Sequence, residues 1–204
     1  MDANSAEVCA RYNGIAMDKC PQSCYNSYIF YERAGFDMPL SLLPRFLAPA
    51  LTDITPEFLQ DRGISLLMMD FDNTIVPYTT STPTEQMSGW LRMMLESDIQ
   101  ICVVSNSKRD RVKIFCDKYG IPCITHAKKP FSKGIKECLR KFGAEPGQCA
   151  LVGDQIYTDT LGANSCGVAS ILVKAIDNHN FWLKARHVLE LPFIFIAKNR
   201  RIIK

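Results

Sequence analysis

The 204-residue sequence has no long apolar run, no leader-like N-terminus and little net charge, and each absence excludes a class of protein. Because no apolar run reaches the roughly 18 residues that a membrane-spanning helix needs, we expect no transmembrane helix. The first residues contain neither a basic segment nor an apolar core, and we therefore expect no signal peptide. A net charge of +3 is too small to indicate a nucleic-acid partner, and none is expected.

Nine cysteines are present, but they follow no disulfide or zinc pattern. Their number is odd, and Cys102, Cys123 and Cys149 lie in or beside apolar segments that are typical of strands. Cys20 and Cys24 match no closed zinc spacing and have no histidine near them, which disfavours a zinc site. The pattern favours reduced, buried thiols in a cytoplasmic protein.

Capping signals and hydrophobic periodicity predict alternating helices and strands. The first helix begins at Pro56 with Thr55 as its N-cap. The predicted helices are 56–62, 83–97, 109–119, 133–142 and 159–166, and the predicted strands are 66–70, 99–104, 121–125, 149–152 and 169–173. The buried face of the second helix is predicted to carry Trp90, Leu91, Met94 and Leu95. This alternation favours a Rossmann-like α/β fold, a doubly wound parallel sheet with helices on both faces.

The composition divides the chain into four regions. Residues 1–37 are polar without a clear period and are interpreted as an N-terminal extension, and residues 38–62 combine an apolar arm broken by prolines with the first helix. Residues 63–180 form the predicted α/β domain, and residues 181–204 form an apolar segment with a basic tail. Two interpretations stay open for the arm and for the C-terminal segment: packing on the domain, or contact with an anionic membrane.

The segment Asp70-Phe71-Asp72-Asn73-Thr74 directly follows the apolar run 64–69 and is the most informative part of the sequence. Two carboxylates two residues apart at the end of a strand point the same way along the pleat. Because burying them is costly, they are expected to hold a cation or to take part in chemistry. An Asx-type turn after a strand is the alternative interpretation of the same residues.

Further polar side chains follow the other predicted strands: Ser105, Asn106, Lys129, Asp154 and Asp159. Taken singly, Ser105 is compatible with a helix N-cap, Lys129 with a surface charge and Asp154 with a tight turn. In a parallel sheet, however, the carboxyl ends of the strands meet at one edge. We therefore expect all these side chains to converge there with the two aspartates of the first segment.

Several carboxylates and a lysine in one crevice indicate a shared cation and a shared anion. Hard oxygen ligands suit Mg²⁺, which binds a few carboxylates together with waters and a substrate phosphate. A lysine, a serine hydroxyl and backbone N–H groups suit a phosphoryl group. One aspartate can attack as a nucleophile, while a second carboxyl protonates the leaving oxygen and then activates water.

With these motifs in this order, the sequence resembles the haloacid dehalogenase-like (HAD-like) phosphohydrolase superfamily over residues 64–173. The closer resemblance is to the YqeG-like branch of subfamily IIIA, which is related to the mitochondrial-type phosphatidylglycerophosphate phosphatases. The segments that carry it are D-I-T-P-E before the first strand, D-F-D-N-T, V-S-N-S, K-K-P and G-D-Q-x-x-T-D-x-x-G-A-N. Residues 1–37 have no counterpart in this pattern.

The resemblance implies a role for each matching residue. Asp70 is the implied nucleophile and Asp72 the implied acid/base, while Ser105 and Lys129 hold the phosphoryl group. The implied Mg²⁺ ligands are Asp70, Asp72, Asp154 and Asp159. We further assign Asn106 and Thr74 to substrate binding.

The short connections between the motifs leave no room for a cap domain, and an open site suits a phosphate on a large or membrane-bound molecule. The implied function is Mg²⁺-dependent phosphomonoester hydrolysis with phosphatidylglycerophosphate as the expected substrate. The protein is then cytoplasmic, with the anionic inner face of the membrane as its expected partner. Two alternatives remain: the same chemistry on a soluble sugar, nucleotide or protein phosphate, and a membrane-peripheral binding module with little turnover.

Overall fold

The structure, a computed structural model, describes residues 41–108, 110–177 and 191–196, all within the unit Met38–Lys204. Residues 1–37, interpreted above as an extension, lie outside the described residues, as do positions 38–40 of the apolar arm and the basic tail 197–204. Among the helices of the described ranges, none is long and apolar enough to span a membrane.

A single parallel sheet forms the centre of the described part of the chain. Its six strands, numbered β1 to β6 in chain order, are Phe46–Ala48, Leu66–Met69, Gln100–Val104, Cys123–Ile124, Cys149–Gly153 and Ala169–Val173. They lie in the order β1-β6-β5-β2-β3-β4, and every neighbouring pair is parallel. Because β2 lies between β5 and β3, the ends of three motif-bearing strands are side by side.

Within the described ranges, five α-helices cover the two faces of this sheet. In chain order, α1 to α5 are Pro56–Gln60, Glu85–Leu95, Arg111–Tyr119, Lys133–Phe142 and Leu161–Ser165. Shorter helical turns are Leu51–Asp53, Pro146–Gln148 and the π-helical turn Ile156–Thr160, and residues 191–196 are also helical. Helices α1 to α3 pack on one face and α4 and α5 on the other, which confirms the predicted doubly wound fold.

The connections around the site are short. Between β2 and β4, where only position 109 is undescribed, the helices are α2 and α3 and no further domain is inserted. The absence of a cap domain expected from the sequence therefore holds for this described stretch.

Both faces of the central strands are buried, as continuous apolar strand sequences predict. Along β2, Leu67 and Met69 point into the core beneath α1 to α3, and Leu66 and Met68 point into the core beneath α4 and α5. All four side chains are fully buried. The next residue, Asp70, therefore stands where the apolar core ends.

The predicted N-cap Thr55 and the predicted ends of the third and fourth helices are confirmed, whereas the helix predicted over 83–97 spans Glu85–Leu95. The hydroxyls of Thr55 and Thr84 each accept a backbone N–H three residues further on, at 3.2 Å. Helices α3 and α4 end at Gly120 and Gly143, which adopt the left-handed φ angles of 67° and 61°. The threonine caps set where the chain enters α1 and α2, and the glycine caps set where it leaves α3 and α4.

The prediction that Leu95 is buried is wrong. Its side chain is 44% exposed, whereas Trp90, Leu91 and Met94 are buried as predicted. The physical reason is the position of Leu95 at the last residue of α2, beside the buried stripe and not within it. The bounds of the helix predicted over 159–166 also differ from the structure. A π-helical turn over Ile156–Thr160 comes first, and α5 follows over Leu161–Ser165.

The proline-broken apolar arm contains a strand that the sequence pattern did not predict. Residues Phe46–Ala48 form β1, which pairs in parallel with the edge of β6. Arg45 extends this contact, because its N–H donates to both the carbonyl and the hydroxyl of Ser170 at 3.0 Å. A strand of three residues between Pro44 and Pro49 is too short to show a period, and prolines are tolerated at a sheet edge.

Residues 191–196 form a helix with two unlike faces. Phe193 and Ile194 pack against the part of the core beside β1 and β6. Leu191, Phe195 and Ile196 are exposed. The described part of the C-terminal segment therefore closes the core with one face and leaves apolar side chains on the surface with the other.

Leu91→Ala is expected to lower the free energy of unfolding by about 2–5 kcal/mol, because it leaves a cavity at a fully buried position of α2. Leu95→Ala is the matched control in the same helix, and it is expected to change this free energy by less than about 0.5 kcal/mol. Denaturant unfolding followed by circular dichroism measures both values. Equal losses would contradict the packing described for α2.

Candidate active site

Three buried carboxylates come together at the carboxyl edge of the sheet. Asp70 follows β2, Asp154 follows β5, and Asp159 lies in the π-helical turn after β5. Each is at most 6% exposed, and the three offer oxygens that lie within 4.8 Å of one another. The convergence expected from the sequence is therefore present for these residues.

The ammonium of Lys129 lies between two of these carboxylates. Its Nζ is 2.6 Å from Asp70 Oδ1 and 2.7 Å from Asp159 Oδ1. Lys129 is buried, so these are charge-assisted contacts shielded from water. A charged lysine is tolerated in such a place where anions surround it. Lys129 thereby links the ends of different strands.

The loop that carries Lys129 follows β4 and has an unusual backbone. His126 and Lys128 adopt the positive φ angles 54° and 57°. The side-chain amide of Asn106 binds the backbone of Lys129 twice, accepting from its N–H at 2.6 Å and donating to its carbonyl at 2.9 Å. Uncommon backbone angles of this kind persist where the surroundings determine them. Here the surroundings direct Lys129 toward the carboxylates.

The other predicted residues lie close to this loop or to the first motif. The amide of Asn106 is used to hold the loop after β4, and its contact with a substrate stays a prediction. Ser105 is buried, and its hydroxyl accepts from the N–H of Ser107 at 3.0 Å. It is not a helix cap, because α3 begins only at Arg111. Thr74 is buried, and its hydroxyl has no hydrogen-bond partner among the described residues.

Asp72 lies outside the group of three carboxylates and pairs with a residue that the sequence pattern did not select. Its Oδ1 is 3.3 Å from Nη2 of Arg111, the first residue of α3. The same guanidinium donates to the carbonyls of Pro77, Tyr78 and Thr80 at 2.6–2.9 Å. The sequence carries no specific signal for this role of Arg111, because three of its partners are backbone carbonyls. Metal binding by Asp72 stays a prediction.

Two glycines allow the close approaches that build the site. A Cβ on Gly153, at the end of β5, would lie 2.3 Å from the carboxyl carbon of Asp159. A Cβ on Gly134, in α4, would lie 2.5 Å from Cβ of Ala127 in the loop that carries Lys129. Neither role is visible in the sequence, because each depends on a contact with another part of the fold.

Burial and neighbouring charges shift the protonation of the buried ion pair. Burial raises the pKa of Asp70 to about 7, although the Lys129 ammonium opposes this shift. Burial disfavours the charged form of Lys129, but Asp159 and Asp70 outweigh it and raise the pKa of this lysine above its ordinary value. An additional cation beside Asp70 favours its ionised form.

The donor set fits a hard divalent cation. Asp70, Asp154 and Asp159 offer carboxylate oxygens within one small volume, and in the described ranges Lys129 is the cation ion-paired with this group. One ammonium does not neutralise three carboxylates, and carboxylate oxygens are ligands that Mg²⁺ prefers. The residues present therefore fit the divalent metal that the sequence led us to expect.

Comparison with known proteins shows the family to which the chain belongs. The HAD-hydrolase-like family matches residues 126–180. A protein of Bacillus subtilis (strain 168) named "Probable phosphatase YqeG" is 36% identical over 131 residues, which are 64% of this chain and 76% of that protein. The chain belongs to the HAD-like phosphohydrolase superfamily, in its YqeG-like branch. It is a phosphatase, a hydrolase of phosphoric monoesters.

Two further known proteins are similar to this chain. The mitochondrial phosphatidylglycerophosphatase GEP4 of Saccharomyces cerevisiae is 30% identical over 146 residues, covering 64% of this chain and 77% of that protein. The cobalt-bound deoxy-D-mannose-octulosonate 8-phosphate phosphatase (YrbI) of Haemophilus influenzae is 15% identical, with a TM-score of 0.46 over 63% of this chain and 89% of that chain.

Gly153→Ala is expected to lower kcat of the phosphatase by about tenfold or more, because the new methyl group displaces the Asp159 carboxylate. If the three carboxylates bind a divalent cation, Mg²⁺ is expected to raise the Tm of the wild type in differential scanning fluorimetry, and Gly153→Ala is expected to reduce this rise. Gly147→Ala, just before β5, is the matched control, since a Cβ there meets nothing within 4 Å. Wild-type values in Gly153→Ala would show that the position of Asp159 is not required.

Proposed function

We propose that the chain is a Mg²⁺-dependent phosphomonoester hydrolase that acts through an aspartyl-phosphate on Asp70, with phosphatidylglycerophosphate as its substrate. The observation that carries the chemistry is a buried Asp70 carboxylate at the end of β2, 2.6 Å from the Lys129 ammonium. The ammonium favours the anionic, nucleophilic form of Asp70 and offers positive charge to a transferred phosphoryl group.

The reaction has two displacement steps. An Asp70 oxygen attacks phosphorus and the bond from phosphorus to the leaving oxygen breaks, while Asp72 donates a proton to that oxygen. Water then attacks the aspartyl-phosphate as Asp72 takes its proton, and the bond from phosphorus to Asp70 breaks to release inorganic phosphate. Lys129 and Ser105 hold the phosphoryl oxygens throughout.

The metal and substrate contacts complete the assignment. Mg²⁺ is assigned to Asp70, Asp72, Asp154 and Asp159, and when bound it supplies positive charge against carboxylate and phosphoryl oxygens. The substrate contacts are assigned to Thr74 and Asn106. The buried Thr74 hydroxyl, which has no partner within the described residues, supports its assignment.

Two observations support a phosphate carried by a lipid. The yeast relative, matched over 77% of its length, is named a phosphatidylglycerophosphatase. In addition, no inserted domain covers the carboxyl edge of the sheet in the described stretch between β2 and β4. An uncovered edge leaves room for a head group that stays in its bilayer.

The surface around the site supports contact with an anionic membrane. Phe131 lies two residues after Lys129 and is 72% exposed. Ile176 is 47% exposed, and its N–H donates to the carbonyl of Asn73 at 3.0 Å. We define the rim as the exposed residues Tyr78, Phe131, Ile176, Lys108, Lys128 and Lys174, which all follow strand ends. Apolar side chains beside basic ones suit an anionic lipid surface.

Asp70→Asn is expected to lower turnover of p-nitrophenyl phosphate by about a thousandfold or more, because the amide cannot carry the phosphoryl group. Acid quenching followed by mass spectrometry is expected to find a phosphoryl group on Asp70 in the wild type and none in the variant.

The exposed Asp98, just before β3, provides the matched control Asp98→Asn, which is expected to keep wild-type turnover. If Asp70→Asn kept more than a few per cent of the activity in a preparation free of other phosphatases, the proposed covalent mechanism would be wrong.

Phe131→Ser combined with Lys128→Gln is expected to weaken sedimentation with phosphatidylglycerol vesicles by about tenfold, since an apolar anchor and a charge worth about 1 kcal/mol are lost. Hydrolysis of phosphatidylglycerophosphate in these vesicles is expected to fall, while hydrolysis of a soluble ester stays unchanged. The matched control is Arg92→Gln with Met93→Ser, an exposed basic and apolar pair on α2.

Three outcomes of this experiment contradict the lipid proposal. Unchanged vesicle binding by the Phe131→Ser, Lys128→Gln variant would show that the rim is not the contact surface. Faster release of phosphate from soluble sugar, nucleotide or protein phosphates than from phosphatidylglycerophosphate favours a soluble substrate. Vesicle binding without turnover of phosphatidylglycerophosphate or of these soluble phosphates favours a binding module.

A further inference from the structure

The loop between β2 and α2 is organised around one guanidinium, that of Arg111. Its Nη1 donates to the carbonyl of Tyr78 at 2.6 Å, and its Nη2 donates to those of Pro77 at 2.9 Å and Thr80 at 2.7 Å. The same Nη2 is 3.3 Å from Asp72 Oδ1. One side chain on α3 thus holds this loop by hydrogen bonds and forms an ion pair with the carboxylate assigned as acid/base, whose Oδ1 has no hydrogen-bond partner among the described residues.

The contacts of Arg111 are with other groups of the protein. Its side chain is only 13% exposed, and its two terminal nitrogens are occupied by the loop and by Asp72. The centre of the guanidinium also lies 5.1 Å from the ring centroid of Phe71, the residue between the two aspartates. A planar group with donors in a fork suits this set of contacts, and a lysine does not reproduce it.

The backbone near Asp72 is fixed by a tight turn. The N–H of Asn73 donates to the carbonyl of Val76 at 2.7 Å, and that of Ile75 donates to the carbonyl of Phe71 at 3.0 Å. These bonds set the path of the backbone and do not involve the Asp72 side chain. In the part of the chain that the structure describes, the ion pair that orients its carboxylate is the one with Arg111.

We propose that Arg111 is a positioning residue that holds Asp72 in place to protonate the leaving oxygen, and that it thereby suits the site to phosphate esters of alcohols. An alcohol is a poor leaving group and needs this proton, whereas an acidic phenol leaves without it. The inference rests on the proposed roles of Asp70 and Asp72. It adds the residue on which the leaving-group preference depends.

The test compares kcat/KM for an alkyl ester, glycerol phosphate, with that for p-nitrophenyl phosphate. Arg111→Ala is expected to lower the value for the alkyl ester about 10- to 100-fold more than the value for the aryl ester. Arg111→Lys is expected to shift the ratio in the same direction, because it keeps the charge but loses the fork. Lys113→Ala, an exposed change on the same helix, is expected to leave both values unchanged.

A double-mutant cycle separates positioning from a general structural effect. In an Asp72→Asn background, Arg111→Ala is expected to cause no further change in the alkyl-to-aryl ratio, since the group that it positions no longer carries a proton. Equal losses for both substrates, or a further shift in the Asp72→Asn background, would overturn the inference.

Two measurements keep the result interpretable. If Arg111→Ala does not unfold cooperatively, the ratio in Arg111→Lys decides the question. Trapping of the phosphoenzyme from p-nitrophenyl phosphate tests Asp70 separately: a trapped phosphoenzyme with a wild-type ratio in both Arg111 variants contradicts only the role of Arg111. Failure to trap it in the wild type contradicts the proposed function itself.

Discussion

The buried ammonium of Lys129, held between Asp70 and Asp159, is the contact on which the site depends. It joins the end of β2, the loop after β4 and the turn after β5, which are far apart in the sequence. Loss of one partner from a buried ion pair leaves an uncompensated charge and costs about 3–5 kcal/mol. The glycine at position 153, which makes room for Asp159, and the Asn106 amide, which holds the lysine backbone, both maintain this contact.

The strand order explains why the lysine needs so much support. Lys129 follows β4, and β3 lies between β4 and the strand that carries Asp70. The side chain must therefore reach across the end of one strand. Asn106 follows that intervening strand, and its amide binds the Lys129 backbone from there. The positive φ angles of His126 and Lys128 also help Lys129 to reach the carboxylates, because they turn the loop back over the edge of the sheet.

The sheet and the charged cluster could be predicted because both follow from simple geometry. Alternating elements imply a parallel sheet, and a parallel sheet brings its strand ends together whatever the loops do. The role of Arg111 could not be predicted, since its partners include backbone carbonyls, which leave no trace in residue identity. The need for glycine at Gly153 depends on a tertiary contact, and β1 (Phe46–Ala48) is too short to show a period. The exposure of the Leu95 side chain could not be predicted either, because it depends on the residue at which α2 ends.

The two aspartates of the first motif form ion pairs with different basic residues, and this difference bears on their proposed roles. Asp70 pairs with a buried lysine, whereas Asp72 pairs with Arg111 at a less buried position. Phe71 keeps them apart, with its ring fixed in the core against Phe115 at 5.2 Å between centroids. Asp72 shifts the pKa of Asp70 less than Lys129 or Asp159 does. The different cationic partners of the two carboxylates suit the division of roles proposed for them, with one as nucleophile and the other as acid/base.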